Sequence, residues 1–104
     1  MIDDVLYMVD RENRISTYIN PYTDDAKIVR VTITNQEPVI IRNVEVSINE
    51  RRPVLIGDIE PGATLYDVPI LYGRYRKANG YTVYWDSEDG THWSHYDIFE
   101  KIHR

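Results

Sequence analysis

Cysteine is absent from this chain of 104 residues. Its absence excludes a disulfide framework, a thiolate metal site and a cysteine nucleophile, so the folded state must be stabilised by packing. A chain of this length can bury on the order of two-thirds of its unfolded surface as one unit. We therefore expect a single domain over residues 1–104.

Long apolar runs and an excess of positive charge are missing as well. No apolar stretch approaches the roughly 20 residues of a membrane-spanning helix, and the start, Met-Ile-Asp-Asp-Val, lacks the pattern of a secretory signal. The sequence thus predicts a soluble, cytoplasmic protein without a membrane partner. Twelve Lys and Arg residues against 17 Asp and Glu residues give a formal net charge of −5. This balance disfavours nucleic acid but is compatible with a protein partner.

Phenylalanine is rare among the aromatic residues, with one Phe beside nine Tyr and two Trp. Most large rings therefore carry a polar end. Two interpretations stay open: tyrosine suits half-buried strand positions, and Tyr, Trp and Arg are enriched in the hot spots of protein interfaces. The rings beside charged turns, which fit the second interpretation, are Tyr72, Tyr75, Trp93 and Tyr96.

The stretch from Ala78 to Phe99 has the pattern of a β-hairpin. Tyr81, Val83 and Trp85 alternate with Thr82 and Tyr84, which places the two sets on opposite faces of a strand. The turn, DSEDG, ends in an Asp-Gly pair that can supply a positive φ. We expect this hairpin to contribute the largest side chains of the hydrophobic core.

Other segments alternate in the same way. The clearest strand is 27–35, in which Val29, Val31 and Ile33 are predicted to face the core, and Val44, Val46 and Ile48 mark a second half-buried strand with a polar opposite side. Further strands are predicted over 15–18, 54–59 and 64–71, with Pro69 favouring an edge position for the last. Residues 1–25 fit an edge strand or a short helix followed by a loop.

About seven or eight short strands with frequent turn signals predict an all-β fold, an antiparallel sandwich of immunoglobulin type. Three pieces of the chain carry a resemblance: IVRVTITNQEP followed by RNVEVSI, IGDIEPGATLYDVPI, and YTVYWDSEDGTHW. Together they resemble small Ig-like or fibronectin-III-like modules of bacteria and their phages, although the cysteine pair of true immunoglobulin domains is missing. The resemblance implies a scaffold that binds or connects, and it transfers no catalytic residue.

Catalytic and metal-binding patterns are weak. His92 and His95 are three residues apart, which sends them to opposite faces of a strand, and we expect exposed or tyrosine-stacked histidines rather than a metal site. The acidic turn at 86–90 lacks the later bidentate carboxylate of a calcium loop. Since G-x-S-x-G and Gly-rich phosphate loops are also absent, we expect a protein that is not an enzyme and needs no cofactor.

The sequence therefore favours a non-enzymatic module that binds another protein through aromatic and charged side chains. The binding surface is predicted to be either a connector or a hairpin tip. The connector residues are Tyr72, Arg74, Tyr75 and Arg76, and the hairpin-tip residues are Asp86, Glu88, Asp89 and Trp93. Small size and acidity also suit an inhibitor of a host protein encoded by a phage or mobile element. The alternative is a structural module of a surface or virion assembly, monomeric or joined to copies of itself through an edge. A nucleic-acid binder is less favoured.

Overall fold

The computed structural model describes residues 6–20, 28–49, 52–71 and 80–98, and these residues are arranged as β-strands in two sheets. The all-β prediction is confirmed. The strands are β1 (Met8–Val9), β2 (Ile15–Asn20), β3 (Ile28–Asn35), β4 (Ile41–Ile48), β5 (Val54–Ile59), β6 (Thr64–Leu71), β7 (Gly80–Asp86) and β8 (His92–Ile98).

The larger sheet has the strand order β1-β8-β7-β4-β5. The predicted hairpin forms its centre, with Trp85 opposite Trp93 and Asp86 opposite His92 in an antiparallel register. Strand β1 pairs parallel to β8, so the expectation of antiparallel pairing throughout is wrong for this edge. Within the ambiguous N-terminal segment, residues 8–9 are a strand, and residues 1–5 lie outside the described part.

The smaller sheet has the strand order β2-β3-β6, antiparallel throughout. Pro69 lies on β6, which borders this sheet, as predicted from the inability of proline to donate to a ladder. Strand β6 contains a bulge at Asp67, whose φ of 48° is in the left-handed region. The Asp67 amide donates to the Thr32 hydroxyl at 3.0 Å, which holds the bulge against β3.

The inward faces of both sheets contribute to one hydrophobic core. Val31, Ile33, Val46 and Val83 are fully buried, as their alternation predicts, and Trp85 is the largest fully buried side chain. The Thr17 hydroxyl and the Tyr81 hydroxyl join the two sheets across this core at 2.6 Å. This hydrogen bond satisfies the hydroxyl of Tyr81, and the rest of the ring packs in the core as an apolar group.

Asn35 connects the sheets at one end of the molecule, where its side chain is fully buried. Its Nδ2 donates to the carbonyls of Val39 and Ile59, at 2.8 and 3.0 Å, and its Oδ1 accepts the amide of Glu37 at 2.8 Å. The loops at residues 10–14, 36–40, 60–63 and 87–91 gather at this end, which we call the turn end.

The two glycines of the predicted turns are in the left-handed region. Gly62 and Gly90 have φ values of 75° and 90°, as the Pro-Gly and Asp-Gly turn signals predict. Ser47, expected on the polar side of β4, is buried. The reason is that β4 lies inside its sheet, flanked by β5 and β7, where neighbouring strands cover a small side chain. Among the described residues no helix is long and apolar enough to cross a membrane.

Candidate functional site

Acidic side chains are concentrated at the turn end. Among the described residues, this end carries eight carboxylates and three arginines. The carboxylates are Asp10, Glu12, Glu37, Asp58, Glu60, Asp86, Glu88 and Asp89, and the arginines are Arg11, Arg14 and Arg42. An end with this charge balance attracts a basic surface and raises the rate of encounter with it.

The hairpin turn at this end is ordered by Asp89. Its Oδ1 accepts the Ser87 hydroxyl at 2.6 Å and the Thr91 amide at 3.0 Å. These bonds, the one from Ser87 first, lower the pKa of the Asp89 carboxyl to about 2. The turn therefore presents the carboxylates of Glu88 and Asp89 in a defined arrangement, since a residue that orders its own backbone is less free to move.

The lowered pKa of Asp89 predicts a stability contribution that depends on pH. The contribution is fully present above the ordinary value of 3.8 and is lost as the pH falls through about 2. Asp89→Asn should thus lower the thermal midpoint at pH 5, and the difference from wild type should shrink towards pH 2. Glu88→Gln, which removes one charge from the same turn, is the control. An Asp89→Asn difference that stays constant over this range would show that the ionised carboxylate does not hold the turn.

Beside the turn, the outward face of the larger sheet carries three clustered rings. Tyr84 lies on β7 opposite to the core set, and the Tyr7 ring packs on it with centroids 4.8 Å apart. The His92 ring meets Tyr7 edge-on at 5.7 Å. Tilted and edge-to-face arrangements at these distances are favourable because the positive edge of one ring meets the negative face of another.

Asp86 fastens this cluster to the neighbouring strands. Its Oδ1 lies 2.5 Å from His92 Nδ1, and its Oδ2 accepts the Asn43 side-chain amide at 3.0 Å. Asn43 reaches Asp86 from an irregular stretch of β4, where it has a φ of 54°, a conformation that asparagine tolerates. The backbone amide of Asn43 donates to Asp58 Oδ1 at 3.0 Å, and Asp58 also pairs with Arg42 at 3.3 Å.

Glu45 completes the group. It lies half-buried on β4, opposite Tyr84 on one side and Leu55 on the other. Within the described ranges no donor or cation bonds the Glu45 carboxylate, although the carboxylates of Asp58 and Asp86 are both engaged. We call the set of Tyr7, Tyr84, His92, Glu45 and Asp86 the aromatic–carboxylate face.

The electrostatics of this face are negative. Burial raises the pKa of the Tyr7 hydroxyl, and the nearby charges of Glu45 and Asp86 raise it further. The direction follows because ionisation of Tyr7 would place a third negative charge beside two carboxylates. The face therefore combines ring surfaces with negative potential.

The inward side of the same strands holds a second polar group. Arg14 lies over the Trp93 ring, 4.0 Å from its centroid, and Trp93 stacks on Trp85 at 6.4 Å. Asp10, whose side chain is fully buried, binds Arg14 at 3.1 Å and lies 3.8 Å from His95 Nδ1. This group covers the Trp93 end of the core with the loop between β1 and β2.

The predicted binding residues are thus distributed over three places. Asp86 belongs to the aromatic–carboxylate face, Glu88 and Asp89 lie in the adjacent turn, and Trp93 is half-buried against the core cluster. The predicted connector residues, Tyr72, Arg74, Tyr75 and Arg76, lie outside the described part of the chain.

Sequence reasoning assigned no role to Tyr7, Tyr84 or Glu45. The outward position of Tyr84 could be read from the alternation of β7, whereas Tyr7 lies in a segment without a clear period. The two histidines of β8 face opposite sides, as their spacing predicts: His92 contacts Tyr7 edge-on on the outward face, and His95 lies near the buried Asp10. No three His, Asp or Glu side chains in the described ranges are grouped to hold a metal ion.

Comparisons with protein-family models, with curated proteins and with solved structures give no match to this chain.

Proposed function

We propose that this protein is a non-enzymatic module that binds a basic surface of another protein. The observation that carries the proposal is the turn end, where described carboxylates outnumber described arginines beside the partly exposed rings of the aromatic–carboxylate face. Aromatic anchors ringed by charges form the hot spots of interfaces, and the charges set the rate and register of association. An inhibitor of a host protein that blocks a basic site would use the same arrangement.

The strand order supports an Ig-like sandwich as the scaffold for this function. A sheet of three strands and a sheet of five share one core, and consecutive strands are distributed between the sheets, as in Greek-key sandwiches. Such scaffolds present loops at their two ends, and the turn end is one of these. The proposed binding surface therefore occupies a position that this architecture leaves open to partners.

Affinity capture from the native host tests the proposal. The wild-type chain should retain a protein of basic isoelectric point, and the charge reversal Glu60→Lys with Glu88→Lys should abolish retention because both side chains are exposed at the turn end. The matched control, Ser16→Lys with Tyr66→Lys and Asp97→Lys, makes the same change in net charge at exposed positions elsewhere. Equal capture by both variants, or no specific protein retained by wild type, would contradict the proposal.

A structural module that assembles with copies of itself is the second candidate. Strand β1 borders the larger sheet, and its Met8 and Val9 are both more than half exposed, as is the preceding Leu6. An apolar border strand is a template for pairing with another chain. Light scattering after size-exclusion chromatography should then show a dimer that Met8→Lys dissociates. A monomer at high concentration would exclude this candidate.

A further inference from the structure

We propose that the aromatic–carboxylate face holds the guanidinium of an arginine that the partner protein inserts between Glu45 and the rings of Tyr7 and Tyr84. This inference rests on the proposed function and names the anchor through which a basic partner would be recognised. It follows from the ring geometry, from a carboxylate that no described residue pairs with, and from the contacts of Arg42.

The rings supply the first part of the site. Tyr7 is 39% exposed and Tyr84 is half-buried, so ring surface remains open where Tyr7 contacts both Tyr84 and His92. A cation over the face of a tyrosine is attracted by the ring quadrupole. Arginine suits the site better than lysine because its planar guanidinium stacks on open ring surface and is weakly hydrated.

The carboxylates supply the second part. Glu45 is partly exposed on an interior strand, and within the described ranges no donor or cation bonds its carboxylate. It is therefore accessible to a cation from outside the chain, and a guanidinium can bind a carboxylate with two hydrogen bonds. The cross-strand neighbours of Glu45 are Leu55 and Tyr84, which offer no charge. A guanidinium stacked on Tyr84 would place its donors beside this carboxylate.

Among the described residues, the arginine on the strand that carries Glu45 does not fill the site. Arg42 lies on β4, opposite Asp86, and its guanidinium pairs with Asp58 at 3.3 Å. Asp86 is itself engaged by His92 and Asn43. The carboxylate of this face that no described residue pairs with is therefore that of Glu45, and the charge of Asp86 adds to the negative potential.

A pair of peptides tests the site without the natural partner. The first is an acetylated, amidated Gly-Ser-Arg-Ser-Gly, and the second carries neutral citrulline in place of arginine. Titration of the isotope-labelled protein at pH 7.5 should shift the amide signals of Glu45, Tyr84 and His92 with the arginine peptide only. Equal shifts with the citrulline peptide, or shifts confined to the turn at Glu88 and Asp89, would overturn the proposal.

Three variants assign the binding to its parts. Tyr84→Leu keeps an apolar side chain but removes the ring, and Glu45→Gln removes the charge at nearly constant size. Each should weaken arginine-peptide binding by about fivefold to thirtyfold. Tyr18→Leu, at an exposed tyrosine on the outward face of the smaller sheet, should leave binding unchanged. Unaltered affinity in Glu45→Gln, which does not depend on ring packing, would refute the site even if Tyr84→Leu were destabilised.

The peptide result separates this inference from the proposed function. If a basic protein is captured through the turn end and the peptides do not bind, the proposed function is supported and the arginine site is refuted. If the arginine peptide binds and no host protein is captured, the arginine site is supported and the proposed function is refuted.

Discussion

Asn35→Ala is expected to lower the free energy of unfolding by about 3–5 kcal/mol. The substitution leaves the carbonyls of Val39 and Ile59 and the amide of Glu37 without their partner. Each unsatisfied group costs about 1–3 kcal/mol when it is buried. Urea denaturation monitored by tryptophan fluorescence measures the loss.

A second variant and a control isolate the hydrogen bonds. Asn35→Asp keeps the shape and the acceptor for Glu37, but it turns a carboxylate oxygen towards two carbonyls. Its cost at pH 7 should therefore equal or exceed that of Asn35→Ala. Gln36→Ala, at an exposed position next along the chain, should change stability by less than about 0.5 kcal/mol. A loss below about 1 kcal/mol in Asn35→Ala would mean that this side chain does not join the sheets.

Asp10→Ala should cost about 3 kcal/mol of unfolding free energy. Asp10 accepts the backbone amides of Glu12 and Arg14, at 3.2 and 2.9 Å, and the Arg14 guanidinium at 3.1 Å. Asp10→Ala leaves the two backbone amides without their acceptor. It also removes a fully buried carboxylate from Arg14, which keeps its pairs with Glu12 at 3.3 Å and Glu37 at 3.9 Å. The Arg14 guanidinium would then be held less firmly over Trp93.

The loss at Asp10 has a consequence at the candidate site. Asp10 follows β1 directly, and its amide donates to the Ser94 carbonyl at 2.8 Å, so its loop anchors the segment that carries Tyr7. Amide hydrogen exchange at Val9 and Asp10 should accelerate in Asp10→Ala. The control Arg11→Ala, exposed in the same loop, should leave stability and exchange unchanged. Wild-type exchange rates in Asp10→Ala would contradict the anchoring role.

The inward faces of the strands could be predicted from the sequence because burial imposes a period of two. Val29, Val31 and Ile33 illustrate this on β3. The positive φ of Gly90 could be predicted as well, because a turn signal depends only on adjacent residues. Pro69 on a border strand follows from its missing amide. These features depend on residues close in sequence, so they can be predicted without knowledge of the tertiary structure.

The candidate site depends on contacts between distant segments, which alternation does not show. Tyr7 reaches Tyr84 only because β1 pairs parallel to β8, and two residues of strand in a short apolar segment carry no readable period. Asn35 has the sequence signature of a turn, yet its odd-numbered position on β3 aims it into the core. The contact of Trp93 with Trp85 likewise follows from the hairpin register rather than from composition.

Hydrogen–deuterium exchange of the protein bound to its captured partner tests the central claim most directly. If the turn end and the aromatic–carboxylate face form the binding surface, protection on binding should be greatest at residues 42–45, 60–63 and 84–94. Protection confined to β2 and β6 of the smaller sheet, with residues 84–94 unchanged, would contradict the account.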